Sequence, residues 1–83
     1  MDARRKKIIF QSQHCGFKEN DILLGQFALD HIKEMSDQQL DLFEALLLEN
    51  DYDIYGWITG QQKLSPHVDH DVMVALITFK NAR

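Results

Sequence analysis

HCGFKENDILLGQFA, residues 14–28, changes character at Gly16: mixed sequence with a basic cluster upstream runs up to it, and an apolar repeat begins after it. A residue without a Cβ takes the left-handed backbone conformation that often terminates a helix. The stretch therefore predicts one helix stopping at about Cys15 and a second starting near Phe17 or Lys18. Glu19 then falls in the first turn of the second helix, where unpaired N–H groups and the positive end of the helix dipole favour a carboxylate. That placement accounts for the acid by itself, and Asp21 adds a second carboxylate to the same corner.

Downstream, Leu24, Phe27, Ala28, Ile32 and Met35 recur at three- and four-residue intervals and share one side of a helix. Ile22, Leu23 and Leu29 are expected to widen that side and make this helix central. Gly25 inside it costs about 1 kcal/mol relative to alanine, so a second helix is expected to pack closely there. Ser36 and Gln39 have capping-box spacing, with Met35 and Leu40 at the hydrophobic-staple positions. Leu40, Phe43, Leu46 and Leu47 then form a buried stripe that Leu42 and Leu48 broaden, opposite a wet side of Asp37, Gln38, Asp41 and Glu44. After the acidic break Glu49–Asp53, Asp51 is the expected N-cap of a short helix over 52–59, with Ile54, Trp57 and Ile58 inward and Gly60 as its stop. Ser65 before Pro66 fits the start of a last helix, with Asp69 an alternative start. Its inward stripe is Val68, Val72, Ala75, Leu76 and Phe79, and Lys80 and Arg83 suit the negative end of its dipole.

Upstream, residues 3 to about 14 read as a helix with Ile8, Ile9 and Phe10 as apolar bulk and Arg4–Lys7 as a solvated basic face. No segment alternates with the period of a strand. The expected fold is all-α: a compact bundle of about five helices, four of medium length plus the short one carrying Trp57, with residues 1–83 as one domain.

A chain of 83 residues has no room for a second core, and its one cysteine can form neither an internal disulfide nor a cysteine-rich zinc site. Packing must hold it together. The longest apolar runs fall far short of the roughly 20 residues that span a bilayer, so membrane insertion is not expected. Asp2 against Arg4, Arg5, Lys6 and Lys7 gives residues 1–7 a net charge of +3, and with −4 overall the remainder carries −7. An acidic body repels phosphates and suits a protein partner with a basic face, which argues against nucleic acid. The alternative reading is a small regulatory protein that binds nucleic acid through its basic first helix.

Enzyme signatures are thin. His67, His70 and Asp71 lack the further ligand at defined spacing that a metal site requires, and read as surface residues. His14 beside Cys15 is not a nucleophile pair, because neighbours on a helix point about 100° apart and a catalytic thiol needs a base held in space. Gly16, Gly25, Gly56 and Gly60 are too far apart for a nucleotide-binding loop.

Cys15, Gly16, Glu19 and Asp21, followed by Leu23, Leu24, Gly25, Phe27 and Ala28, resemble the signature region of the succinate dehydrogenase assembly factor 2 family, whose pattern is Arg-Gly, two variable residues, Glu and a nearby Asp. Leu48, Glu49, Asp51, Asp53 and Trp57 resemble its second motif, an acidic turn leading into a short helix with a Trp. The likeness runs from about Arg5 to Lys80 with the motifs in order, and departs from the family at Cys15, where an arginine is expected. The resemblance implies a non-enzymatic assembly factor that binds the flavoprotein subunit of succinate dehydrogenase, or of the related fumarate reductase, and promotes covalent attachment of FAD. The flavin belongs to the client, and the chain itself holds no cofactor and no metal. Gly16 and Glu19 are the foremost partner-binding residues implied, with Asp21, Cys15 and Lys18 around them and Asp51 and Asp53 behind. Either Arg4, Arg5 or Lys18 stands in for the missing arginine, or the client differs at the facing position. The resemblance implies a bacterial factor; with no secretory signal or transit sequence in residues 1–7, the chain is expected to stay in the cytoplasm, and to be a monomer when free.

Overall fold

Five α-helices, α1 (Ala3–Ser12), α2 (Lys18–His31), α3 (Asp37–Leu47), α4 (Asp51–Thr59) and α5 (Asp71–Asn81), make up a computed structural model that describes residues 1–82. Arg83, the expected dipole partner of the last helix, lies outside the described residues. Single turns of 3₁₀ helix at Ile32–Glu34 and Pro66–Val68 complete the elements, and the described residues contain no strand. The all-α expectation holds.

Helix α2 packs against α1, α4 and α5, while α3 packs against α1 and α5. The central role expected for α2 follows from its apolar side: Leu24, Phe27 and Ala28 are all buried, and Ile32 and Met35 continue that buried line through the 3₁₀ turn after it. Around them close Ile8 of α1, Leu40, Phe43 and Leu46 of α3, Ile54, Trp57 and Ile58 of α4, and Val72, Met73 and Leu76 of α5. Phe27 sits edge-on to both Phe43 and Phe79, with centroid separations of 5.7 and 5.6 Å. Trp57 is a core residue, its indole edge-on to His67.

Several boundaries are set by side chains. Ser36 Oγ accepts from the Gln39 amide at 3.2 Å, and Gln39 Oε1 accepts from the Ser36 amide at 3.0 Å, so the capping box is complete. Gly60, at φ +80°, ends α4 in the left-handed conformation as expected. The N-cap of α4 is Asn50, whose side-chain oxygen accepts from the Tyr52 amide, and Asp51 is the first helical residue instead of the cap. Ser65 and Pro66 start only the 3₁₀ turn. The α-helix begins at Asp71, capped by His70 Nδ1 accepting from the Met73 amide at 3.1 Å.

Other departures concern apolar residues assigned to the core. Ile22, Leu29, Phe10 and Leu48 are exposed, by 44, 55, 62 and 83%, and Ala75 is also exposed. Each belongs to a mixed apolar run that covers more than one helix face, so only part of the run can point inward. Met73, at the fully buried centre of α5, lies outside the stripe expected for that helix.

The basic cluster splits in two. Arg4 pairs with Asp41 and Glu44 across α3, with Nε to Glu44 Oε1 at 2.8 Å, and these hydrogen bonds raise its pKa further. Arg5 pairs with Asp2 and donates to the carbonyl oxygens of Ile32 and Met35 at 3.0 and 2.6 Å, tying α1 to the turn that follows α2. Only Lys6 and Lys7 remain as the solvated face.

Candidate partner-binding site

The corner between α1 and α2 is built differently from a simple helix stop. Helix α1 ends at Ser12, with Gln13 as an ordinary right-handed cap, so Gly16 lies beyond the end of the helix, inside a turn spanning 13–17. Its φ of +117° nonetheless belongs to the region that disfavours any residue with a side chain. Asp21 reaches back one helical turn and holds this loop: its Oδ1 accepts from the Cys15 amide at 2.5 Å and from the Gly16 amide at 3.3 Å. Both amides find a carboxylate at the N-terminal turn of α2, where it is already favoured.

Asp51 closes the corner from the far side of the sequence. A Cβ placed on Gly16 would stand 2.6 Å from Asp51 Oδ2, closer than real side chains come. Asn20 fixes Asp51 in turn, its amide nitrogen donating to the Asp51 carbonyl at 3.1 Å and to Oδ1 at 3.4 Å. Asn20 is 1% exposed, and sequence reading passed over it. Its signal was its position four residues before Leu24, on the buried side of α2, where a polar group must find an internal partner. Phe17 and Tyr52 meet edge to face at 4.6 Å and seal the same junction.

Gly16, Lys18 and Glu19 are therefore exposed on a braced corner, while Asp21, Asp51 and Cys15 are half-buried beneath it. Asp53 accepts from Gln62 Nε2 at 3.2 Å, toward the loop after α4. Cys15 Sγ points to the Gln11 and Ser12 carbonyls at 3.5 and 3.4 Å. Burial, with the nearby Asp21 and Asp51 carboxylates, pushes its thiol up to about 11, so it is protonated at neutral pH and no nucleophile. With Arg4 and Arg5 committed elsewhere, Lys18 is the cation the corner presents.

Gly25 is buried under the end of α1: a Cβ there would meet Gln13 Cγ at 2.9 Å, the close approach its presence in mid-helix calls for. Beside the corner, an open groove of about 350 Å³ runs between α2, α4 and α5, with Leu23, Tyr55 and Ile58 in its walls and Glu19 and Lys80 among its lining. His67 bonds to Glu49 at 3.0 Å, His70 caps α5, and Asp71 accepts from Gln39 at 2.9 Å. The described residues contain no group of three or more His, Cys, Asp or Glu side chains able to hold a metal ion. No helix among them is long and apolar enough to cross a membrane.

Residues 6–80 match the family model described as flavinator of succinate dehydrogenase. Similar proteins are the succinate dehydrogenase assembly factor 2, mitochondrial, of Candida glabrata, 44% identical over 80% of this chain and 43% of the relative, and of Saccharomyces cerevisiae, 41% identical over 83% and 43%. A protein of the same name from Drosophila grimshawi is 33% identical over 92% of this chain and 53% of its own length. The chain thus spans about half the length of these relatives. Their names overturn the expectation of a bacterial cytoplasmic location, since these relatives are mitochondrial proteins of eukaryotes.

Proposed function

Since this chain belongs to the family of flavinators of succinate dehydrogenase, we propose that it is an assembly factor that binds the flavoprotein subunit of succinate dehydrogenase, or of fumarate reductase, and promotes covalent attachment of FAD to it. The flavin and the reacting groups belong to the client. The bundle binds one conformation of that client more tightly than the others and raises the population in which flavin and acceptor side chain are in register. A helper can accelerate a reaction in this way without supplying a catalytic group.

The observation that carries the reading at the level of the site is the exposure of Gly16, Lys18 and Glu19 on a corner whose own bracing is internal. Glu19 supplies an unpaired carboxylate for a basic group on the client. Gly16 keeps the surface low enough for close backbone approach. Lys18 takes over the positive charge that the family motif places at the position of Cys15, although an ammonium cannot form the forked contact of a guanidinium. Asp21 and Asp51 act as positioning residues that hold the loop.

The test is complementation in cells lacking the endogenous factor. Covalent flavin on the flavoprotein subunit, read by in-gel fluorescence, is expected to return with the native chain and to stay absent with Gly16→Arg. Normal covalent flavin in the cells lacking any factor sinks the reading.

A further inference from the structure

We propose that the groove between α2, α4 and α5 is a second contact for the client, taking one apolar side chain from a segment of the flavoprotein subunit that presents a basic group to Glu19 and an acidic group to Lys80. The inference rests on the function proposed above and names what else the client must offer.

At about 350 Å³ the groove lies near the lower end of the roughly 300–1,000 Å³ found for ligand sites, so it suits one bulky side chain. Its walls are apolar at Leu23 and Ile58, and Ile22, one of the exposed large apolar residues, adds to its lining at 44% exposure. An exposed isoleucine beside an open apolar slot leaves hydrophobic surface in water that a docked side chain would cover.

Charge selects the occupant. Glu19 and Lys80 both line the groove, and among the described residues neither side chain takes part in an ion pair or hydrogen bond. Unpaired charges of opposite sign at one apolar slot fit a segment with the reciprocal charges in one orientation and repel it when reversed. Glu19 also belongs to the corner around Gly16, so a partner covering the corner already stands at the mouth of the groove. The proposed client, docked on the corner, is therefore the occupant that reaches the groove.

The test measures binding of the full chain to purified flavoprotein subunit lacking covalent flavin, by titration calorimetry, with circular dichroism confirming that each variant is folded. Ile22→Glu and Lys80→Glu change the groove from two helices, α2 and α5, at positions that are not fully buried. Each is expected to weaken binding about tenfold or more, and Lys80→Arg to restore it. If the native chain binds and both variants match it, the groove inference is overturned and the proposed function stands. If the native chain does not bind the subunit, both fall. Loss of self-association in the variants with unchanged client binding would make a second copy of this chain the occupant, which also overturns the inference.

Discussion

Gly16 is constrained twice, by a φ of +117° and by the Asp51 carboxylate that occupies the place of its missing side chain. Gly16→Ala is expected to destabilise the protein by about 1–3 kcal/mol from backbone strain alone, with the collision against Asp51 in addition. Urea denaturation of Gly16→Ala, Asp51→Ala and the double variant separates the two, because the collision disappears when Asp51 is shortened and the strain does not. Strictly additive losses would show that the contact is energetically empty. The turn-forming role of this glycine was legible in the sequence, since nothing else in residues 13–17 tolerates such a backbone. Asp51 as its neighbour was not, because the two lie 35 positions apart and only the packing of α4 on α2 brings them together. Cys15 gives a second prediction at this scale. Its thiol ordinarily ionises near 9.0 and is raised to about 11 in the fold, so below pH 9 the folded and unfolded chains hold the same proton. Between pH 9 and 11 the unfolded chain releases it first, and stability falls as pH rises. Native protein is expected to lose stability over that interval more steeply than Cys15→Ala, and to react with iodoacetamide only slowly at pH 7.5.

At the scale of elements, the start of α3 is the joint that serves two helices. Gln39 Oε1 closes the capping box with Ser36, and Gln39 Nε2 donates to Asp71 in the first turn of α5. Ser36→Ala is expected to cost about 1 kcal/mol in thermal or urea unfolding. Gln39→Glu is the more discriminating change. Glutamate serves a capping box as well as glutamine does, so an isolated helix would accept it. Here it removes the donor to Asp71 and sets two carboxylates together. The Gln39 hydrogen bond comes first among the causes that hold Asp71 below its ordinary carboxylate range, so its stabilising effect is present above that range and is lost as pH falls through it. Gln39→Glu should therefore destabilise the protein at pH 7 and approach the native chain near pH 3; an unchanged midpoint at pH 7 would refute the coupling. The capping box was readable because it is a contact within four residues. The start of α5 was not, because Ser65 and Pro66 carry a valid start signal that the chain uses for one 3₁₀ turn, while His70, an uncommon cap, does the work.

Over the whole molecule, charge and packing divide the labour. Arg4 and Arg5 hold α1 onto α3 and onto the turn after α2, so half of the basic cluster that suggested a phosphate-binding face is spent on the fold. Sequence alone showed where the charges were but not which were already paired, and the long reach of arginine let both find partners 27 to 40 positions away. What remains outward is an acidic surface, with exposed Glu19 at its braced corner and a net charge of −4 over the whole chain. Such a surface steers a partner of opposite sign and speeds encounter without changing how fast the complex comes apart. The association rate with the proposed client, the flavoprotein subunit, is therefore expected to fall as salt is raised from 50 to 500 mM, with the dissociation rate moving much less. Lys6→Ala with Lys7→Ala removes positive charge and should leave association equal or faster in stopped-flow measurements, whereas a nucleic-acid role for the same lysines would appear as binding to duplex or single strands at low salt that this double variant abolishes. An association rate that rises with salt would mean that the client meets this protein through its basic end, and the acidic corner would lose its claim to the contact.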